Sequence, residues 1–249
     1  MHPVIRVDNL RCGYGERVVL DHISFEVRSG EVLAILGGSG CGKSTLLKHM
    51  IGLYPPLAGR IEIGGDDFAT ASGELRERIL RRFGVMYQSG ALFGSMSVLD
   101  NVRLPLESFS ALDDEAIDLV ARLKLRLVGL EEFADFLPSE LFGGMQKRAA
   151  IARAMALDPA ILFLDEPSAG LDPVTSAGLD GLIRRLAESQ GMTIVVVTHE
   201  LASINAIADR AVMLDREEKG IIATGAPAEL AQHPDARVRR FFLREAEMT

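Results

Sequence analysis

Hydrophobic residues along this chain fall into two kinds of pattern. Over residues 5–7 and 18–27 they alternate with polar residues, which predicts antiparallel strands with one buried face. Over residues 32–36, 161–164 and 193–197 they form short continuous runs, typical of parallel strands that are covered on both faces. The pattern predicts an α/β fold with a parallel core and an antiparallel β subdomain.

Turn residues separate these strands. We predict turns at Gly13-Tyr14-Gly15 and at Ser29-Gly30, because glycine adopts backbone conformations that other residues avoid. Residues 60–63 predict a further short strand, which ends at a pair of glycines. Residues 84–88 predict a strand that carries the amide side chain of Gln88 to its end.

The region between residues 89 and 156 has a helical pattern. Acidic residues at 113–115 mark the start of one helix, whose apolar residues recur at helical spacing until Gly129. A second helix follows Gly143-Gly144. We predict one domain over residues 1–249, with an α/β core in 1–88 and 157–249 and an inserted α-helical subdomain in 89–156.

Composition narrows the class of protein. The chain has 249 residues and a net charge of −8, whereas proteins that coat nucleic acids are usually basic. Two cysteines, Cys12 and Cys41, are too few for a disulfide framework and favour a reducing compartment. Residues 1–6 do not resemble a signal peptide, and no apolar run approaches the ~18 residues that span a bilayer. We expect a soluble chain whose membrane role, if any, depends on a partner.

The most specific chemical motif lies between the strand at 32–36 and a helical pattern at 45–51. It fits G-x-x-x-x-G-K-[ST] and consists of Gly37, Gly38, Ser39, Gly40, Cys41, Gly42, Lys43 and Ser44. Such a turn points backbone N–H groups at phosphate oxygens, and the helix N-terminus adds positive potential. We predict a nucleoside triphosphate site in which Lys43 binds the terminal phosphates, Ser44 binds Mg²⁺ and Thr45 lies alongside. Pro55-Pro56 should end the helix.

Acidic residues follow the apolar run at 161–164. Side chains at the carboxyl ends of parallel strands face the crevice in which open α/β sheets bind ligands. We predict that Asp165 holds Mg²⁺, and that Glu166 orients or deprotonates the water that attacks the γ-phosphate. An ordinary acidic turn at the end of a strand is the alternative.

Two further polar residues follow predicted strands. His199 comes after the run at 193–197, where it could donate to the γ-phosphate, although a lone histidine is more often structural. Gln88 has a similar position and could reach Mg²⁺ or the attacking water.

The order of these motifs resembles that of an ABC-type ATPase from about Val4 to Leu230. The resemblance rests on the phosphate loop, Gln88, Leu141-Phe142-Gly143-Gly144-Met145-Gln146, Leu164-Asp165-Glu166-Pro167, the segment 168–172 and His199. It implies a P-loop NTPase with a RecA-like parallel core, which hydrolyses ATP with Mg²⁺. It also implies that Tyr14 stacks on adenine, that Gln88 forms the Q-loop, that Glu166 is the general base, that Asp172 forms the D-loop and that His199 is the switch histidine.

The segment 141–146 resembles the family signature, which usually begins Leu-Ser-Gly-Gly. In the family this segment contacts ATP held by the opposite subunit, which implies a homodimer with two equivalent sites. Here Phe142 replaces the serine, whose hydroxyl contacts the γ-phosphate. The loss could be tolerated, it could impair closure and slow hydrolysis, or the residue could be engineered. We expect ATP binding with reduced hydrolysis.

Two segments, 88–98 and 143–150, look like the ATPase of MCE-associated lipid transporters, of the maintenance-of-lipid-asymmetry and organic-solvent-tolerance type. This resemblance implies a subunit that energises phospholipid transport, bound peripherally to the cytoplasmic side of the inner membrane. The implied partners are a permease dimer, contacted near Gln88–Met96, and an MCE-domain lipid-binding protein, with no nucleic acid. We expect an exposed apolar set to form part of the permease groove, unless it packs within the helical subdomain: Ala91, Leu92, Phe93 and Met96.

Several alternatives stay open. The ATPase of an amino-acid or ion importer would carry the same motifs, because the transported substrate never touches this subunit. An ABC ATPase outside transport usually has two ATPase halves or an inserted coiled coil, and a kinase or GTPase would leave the signature segment unexplained. The tail at 236–242 combines cations with two phenylalanines, and it would either brace a partner subunit or pack on its own domain.

Overall fold

The computed structural model describes residues 3–243, so both ends of the predicted domain lie outside the described residues. Within this range ten strands form two sheets. In chain order they are β1 (Pro3–Tyr14), β2 (Arg17–Arg28), β3 (Val32–Gly37), β4 (Ala58–Ile63), β5 (Asp66–Asp67), β6 (Phe83–Met86), β7 (Ile161–Asp165), β8 (Thr193–Val197), β9 (Arg210–Asp215) and β10 (Gly220–Gly225).

Nine α-helices accompany the strands over the same range. They are α1 (Lys43–Met50), α2 (Gly73–Leu80), α3 (Val98–Phe109), α4 (Asp114–Leu127), α5 (Gly143–Ala154), α6 (Pro173–Gln190), α7 (Leu201–Ile207), α8 (Pro227–Leu230) and α9 (Ala236–Leu243). Short 3₁₀ helices at Glu131–Phe133 and Pro138–Glu140 connect α4 to α5. Among residues 3–243 no helix combines the length and the apolar character that a membrane span needs.

The first sheet is antiparallel and has the strand order β2-β1-β4-β5. Alternate residues of β1 and β2 are buried, as the sequence pattern predicts. The turn predicted at Gly13-Tyr14-Gly15 is present but lies later in the chain, because β1 continues through Tyr14 and the chain reverses at Gly15-Glu16. Gly13 serves close approach instead, since a Cβ there would lie 2.1 Å from the carbonyl oxygen of Arg17.

The second sheet has the order β10-β9-β3-β8-β7-β6, and only β10 runs antiparallel to its neighbour. The runs predicted at 32–36, 161–164 and 193–197 lie side by side at its centre as β3, β7 and β8. Strand β6 ends at Met86, so Gln88 lies two residues beyond it rather than at its last position. The predicted parallel core is present.

The sheet separates the hydrophobic core into layers. On one face it packs against α1 and the antiparallel sheet, and on the other against the helices of residues 98–154 and α6. A smaller cluster joins β3 and β9 to α7, α8 and α9. Val238 of α9 is buried there, with Phe241 and Phe242 against it, so the tail packs on its own domain.

Helix boundaries follow local chemistry. Asp113 caps α4 by accepting a hydrogen bond from the backbone of Ala116, as the acidic start at 113–115 predicts. Helix α5 begins at Gly143, so the two glycines predicted to precede it form its first residues. Helix α1 ends at Met50, and the chain turns at Gly52 with φ of 72°. The expectation that Pro55-Pro56 ends this helix is therefore wrong.

Candidate functional site

A cleft of about 720 Å³ opens where β3 meets α1. It brings together most of the predicted site residues, although they come from distant parts of the chain. Its walls are formed by Tyr14, Arg17, Val19, Gly37, Gly38, Ser39, Gly40, Gly42, Lys43, Ser44, Thr45, Gln88, Glu166, His199 and Phe241. The signature segment and Asp172 lie elsewhere among the residues of 3–243, as described below.

The phosphate-binding loop is shaped by glycines that other residues could not replace. Gly37 has φ of 146°, and a Cβ there would lie 2.5 Å from both the Cys41 sulfur and the Leu214 carbonyl oxygen. Gly42 has φ of 106°, and a Cβ there would lie 2.8 Å from Leu20. The first residues of α1, Lys43, Ser44 and Thr45, line the cleft, and the backbone N–H groups of a first helical turn can donate to an anion.

Lys43 extends across this loop. Its ammonium donates to the carbonyl oxygens of Gly37, at 2.8 Å, and Gly38, at 3.2 Å. A cation held at the mouth of a loop of N–H donors favours a ligand with several negative charges. The loop therefore has the chemistry of a polyphosphate site.

Glu166 and His199 meet at the opposite wall of the cleft. His199 Nδ1 lies 2.8 Å from Glu166 Oε1, and the histidine side chain is 61% exposed while the glutamate is 11% exposed. Glu166 has φ of 46°, and its backbone N–H donates to the carbonyl of Val197 at 2.8 Å. A left-handed glutamate is strained, so the neighbouring strand β8 holds it in place.

Asp165 precedes Glu166 at the end of β7, next to Val197 of β8. Burial raises the pKa of Asp165, and the adjacent Glu166 raises it further, while Lys48, Lys147 and Lys43 oppose the shift. One oxygen of each carboxylate, Asp165 Oδ1 and Glu166 Oε2, is buried and accepts no hydrogen bond from residues 3–243.

These unpaired oxygens test whether the residues fit Mg²⁺. Buried carboxylate oxygens without donors are costly, and a hard divalent cation or its bound water satisfies them. Ser44 and Gln88 line the main cleft together with Glu166, and Gln88 also lines a second cavity that contains Asp165. The donor set consists of oxygens, which Mg²⁺ prefers, so the residues fit the ion.

A buried lysine lies behind this carboxylate pair. Lys147 of α5 is 8% exposed and donates a hydrogen bond to the backbone carbonyl of Gln88. Burial lowers the pKa of Lys147, whereas the charges of Asp165 and Glu166 raise it. Farther along α5, Arg153 donates to the carbonyl oxygens of Gly90 and Ala91 at 2.9 and 2.7 Å. The helix thus holds the segment after Gln88 by its backbone.

Tyr14 lies at the other end of the cleft. It is 38% exposed, its hydroxyl lies 3.3 Å from the hydroxyl of Thr45, and its ring packs edge-on against Tyr54 at 4.9 Å. Arg17 and Val19 line the same end. An accessible aromatic face beside a cation and an apolar side chain suits a planar base.

The signature segment surrounds the start of α5, away from the main cleft. Leu141 is buried, whereas Phe142 is 83% exposed and occupies the N-cap position without a side-chain hydrogen bond. Gly144 packs tightly, since a Cβ there would lie 2.3 Å from Thr175. Gln146 donates to the carbonyl oxygens of Pro138 and Leu141, and Met145 is partly buried against the core.

Asp172 lies at the start of α6, at the N-cap. Its carboxylate accepts hydrogen bonds from the backbone N–H groups of Val174 and Thr175, at 3.0 and 3.1 Å. The hydroxyl and backbone of Thr175 lower the pKa of Asp172. The sequence Asp-Pro at this point is itself an N-cap pattern, because aspartate is favoured at the N-cap and proline at the first helical position.

Sequence reasoning missed several residues of the site. Arg17, Val19 and Phe241 line the cleft, but each lies outside any recognised motif. Lys147 gave no sign of its burial, because a lysine on a helix is usually solvated. Only its spacing on α5, four residues after Gly143, could have suggested that it faces inward.

A glycine-rich loop between a parallel strand and a helix, with an acidic pair at the end of a strand in the same sheet, defines a P-loop nucleotide-binding cassette. Residues 20–169 match the ABC transporter family. The chain belongs to that family, and it is an ABC-type ATP hydrolase. The predicted fold class and activity are thereby confirmed.

Relatives resemble the chain over nearly its whole length. It is 39% identical to the intermembrane phospholipid transport system ATP-binding protein MlaF of Haemophilus influenzae, over 98% of this chain and 92% of that protein. It is 41% identical to MlaF of Escherichia coli K12, over 91% and 84%. It is also 39% identical to the probable ribonucleotide transport ATP-binding protein mkl of Mycobacterium leprae, over 98% of this chain but 69% of that protein.

Solved structures share the same architecture. One is a dimeric post-hydrolysis state of the ATP-binding cassette MJ0796 bound to ADP and Pi, with a TM-score of 0.79 and 30% identity over 89% of this chain and 98% of that one. Another is cbiO1 from Clostridium perfringens, part of the ABC transporter complex cbiONQ, with a TM-score of 0.83 and 27% identity over 99% and 100%.

Proposed function

We propose that this chain is the ATP-hydrolysing subunit of an ABC transporter that moves phospholipids across a cell envelope. The observation that carries the proposal is the 39% identity to a phospholipid transport ATP-binding protein over 98% of this chain and 92% of the relative. A match of that extent covers the helical region that faces a membrane partner as well as the ATPase motifs.

In the proposed site Lys43 and the loop N–H groups bind the β- and γ-phosphates of ATP, while Tyr14 stacks on the adenine. Ser44, Gln88 and Asp165 would hold Mg²⁺, which supplies charge neutralisation between the phosphates. Glu166 would orient the attacking water and accept its proton. His199, in contact with Glu166 at 2.8 Å, would donate to the γ-phosphate and keep the carboxylate in position.

We further propose a homodimer in which each ATP lies between two subunits. The signature segment 141–146 does not line the cleft formed by its own residues 14–241, so a second copy would supply it. The backbone of Gly143 and Gly144, at the start of α5, would then face the partner's phosphates. Asp172 would lie at the same seam, and Phe142 would slow its closure.

The permease is expected at a groove between the helical region and the edge strand β6. This groove has a volume of about 500 Å³ and includes Ala91, Phe93, Phe109 and Arg153 in its wall. Phe93 and Phe109 are 52% and 56% exposed, which is unusual for phenylalanine and suits an apolar partner helix. Of the predicted apolar set, Ala91 and Phe93 are exposed, whereas Leu92 packs on the core and Met96 is half-buried.

The position of the permease groove suggests a role for the helical region. We propose that residues 89–156 act as a helical subdomain that transmits permease contacts to the α/β core of 1–88 and 157–249. The subunit would sit peripherally at the cytoplasmic side of the inner membrane, with an MCE-domain protein completing the complex.

The ATPase of an amino-acid or ion importer is the alternative function. The name of the mycobacterial relative suggests ribonucleotide as another substrate, but the chain covers only 69% of that protein.

Affinity purification of the full chain from membranes, followed by mass spectrometry of co-purified proteins and lipids, tests the proposal. We expect a permease, an MCE-domain protein and bound phospholipid. Recovery of a permease together with a solute-binding protein would support the importer instead. A Lys43→Ala variant controls for nucleotide-independent association.

A further inference from the structure

A carboxylate that the proposed mechanism does not use is buried beside the active site. Asp180 of α6 is 5% exposed. Its Oδ2 accepts a hydrogen bond from the hydroxyl of Ser203 on α7, at 2.9 Å. The hydroxyl of Ser203 in turn lies 3.2 Å from that of Ser168, and both serines are at most 1% exposed. Three buried side chains therefore form one continuous polar network.

The network connects the two segments that carry the catalytic pair. Ser168 follows Glu166 by two residues, and Ser203 follows His199 by four. At the surface these segments are joined by the contact between Glu166 and His199, at 2.8 Å. Beneath it, Ser168, Ser203 and Asp180 form a second link. The relative position of Glu166 and His199 is therefore fixed both by their direct contact and by this buried network.

Burial of the Asp180 carboxyl group between α6 and α7 is energetically unfavourable. Its Oδ1 is buried and receives no hydrogen bond within the described range, and burial raises the pKa of the carboxyl group. An apolar side chain of similar size would avoid this cost and would usually be neutral or stabilising. Stability alone therefore gives no reason for a carboxyl group here, whereas orientation of the Ser203 hydroxyl does.

Besides this network, the segment that carries His199 is held by a hydrogen bond from the backbone of Glu200 to the Thr198 hydroxyl and by core packing of Leu201 and Ile204. Helix α7 is only seven residues long, and its N-cap residue Glu200 makes no side-chain capping hydrogen bond. His199 itself is largely exposed, so it is not fixed by packing. The hydrogen bond from Ser203 to Asp180 adds a buried polar restraint within the first turn of α7, close to His199.

We propose that Asp180 is a positioning residue, which acts through Ser203 and Ser168 to hold His199 against Glu166 during ATP hydrolysis. The inference rests on the proposed roles of Glu166 and His199. A residue that acts in this way changes the rate of the chemical step and leaves the binding of ATP nearly unaltered. Positioning residues of this kind typically contribute about 10- to 100-fold to activity.

Kinetics of single variants of the full chain provide the first test. Asp180→Leu should lower kcat for ATP about tenfold with KM changed less than about twofold, and Asp180→Asn, which still accepts from Ser203, should restore most of kcat. Ser203→Ala gives a second variant should Asp180→Leu fold poorly. Leu182→Ala, in the core contact of the same helix, is the control for general destabilisation: it should lower Tm while kcat is retained. An unchanged kcat in Asp180→Leu, or a loss of kcat in Leu182→Ala as large as that in Asp180→Leu, would overturn the proposal.

A double-mutant cycle separates this inference from the proposed function. If Asp180 acts through His199, then Asp180→Leu should cause no further loss of kcat in a His199→Ala background. A full additional tenfold loss would refute the positioning role while leaving His199 in the mechanism. An unchanged kcat for His199→Ala alone would instead refute the proposed role of His199, and the inference with it.

Discussion

Lys147 of α5 donates a hydrogen bond to the backbone carbonyl of Gln88, and so connects the helix that begins in the signature segment to the segment that faces the metal-binding carboxylates. The lysine is buried, and its charge opposes the rise in the pKa of Asp165 that burial and the neighbouring Glu166 cause. Lys147 therefore has two roles: it holds the backbone at Gln88 in place, and its charge favours the ionised form of Asp165.

Replacement of Lys147 should impair both tasks. We expect Lys147→Met to lower ATPase activity about tenfold and to raise the Mg²⁺ concentration needed for half-maximal rate, because Asp165 loses a neighbouring cation. Lys147→Arg keeps charge and donors and should retain most of the activity. Steady-state ATPase assays over a Mg²⁺ titration measure both effects, and an unchanged Mg²⁺ dependence in Lys147→Met would contradict the electrostatic role.

Asp165 should destabilise the folded protein at neutral pH although it is needed for ATP hydrolysis. A raised pKa means that the folded protein holds the proton more tightly than the unfolded chain, so the stability associated with Asp165 is present below its unfolded pKa and is lost as pH rises through the folded value. Asp165→Asn should thus raise Tm at neutral pH without nucleotide, because the neutral amide avoids the cost of the buried charge. ATPase activity should fall sharply.

Asp172 is the matched control, because its pKa is shifted in the opposite direction to that of Asp165. Hydrogen bonds from Thr175 lower its pKa, so its contribution to stability is present above the unfolded pKa and is lost as pH falls through the folded value. Asp172→Asn should therefore lower Tm at neutral pH. Thermal unfolding of both variants between pH 5 and 8 checks the signs, and a destabilised Asp165→Asn would show that the buried carboxylate is not the unfavourable group.

The sequence allowed the centre of the fold to be predicted better than its periphery. Apolar runs at 32–36, 161–164 and 193–197 could only be buried strands, and they form the middle of the parallel sheet. Helix α6, by contrast, was not identified, because polar and small residues interrupt its apolar positions over 18 residues. Strand β10 is only partly buried and shows no clear alternation either.

The site residues also divide into those that the sequence predicts and those that only the fold brings together. Residues of the phosphate loop were predictable because their chemistry depends on local spacing, which a sequence displays directly. Gln88, Glu166 and His199 share the cleft because the parallel sheet places β6, β7 and β8 side by side, and Tyr14 joins them from β1 of the antiparallel sheet. Lys147 and Asp180 could not have been found in this way, since burial of a charged side chain is decided by tertiary packing.

Glu166 should be required for hydrolysis and not for binding. We expect Glu166→Gln to lower kcat by roughly 10²–10⁴-fold, the usual contribution of a general base, with the Kd for ATP unchanged. The substitution keeps the size of the side chain and its contact with His199. Nucleotide binding by fluorescence and single-turnover hydrolysis separate the two quantities. Glu188→Gln, on the exposed side of α6, is the control, and retention of turnover in Glu166→Gln would remove this residue from the mechanism.

Phe142 should limit the rate of the assembled complex. Its ring is 83% exposed at the N-cap of α5, a position where serine normally accepts a hydrogen bond from the backbone of the first turn. We expect Phe142→Ser to stabilise this helix by about 1 kcal/mol and to raise ATPase activity, because it supplies a small donor where two subunits are proposed to meet.

Phe142→Ala distinguishes the two reasons for that gain. It removes the ring without adding a hydroxyl, so an equal rise in both variants would assign the effect to bulk alone. A rise confined to serine would assign it to the hydrogen bond with the γ-phosphate. We expect an intermediate rate for alanine, since relief of crowding and a new donor should both contribute. Steady-state ATPase rates of the complex, measured alongside ATP-dependent dimerisation by light scattering, test this order, and a lower rate for Phe142→Ser than for the unaltered chain would contradict it.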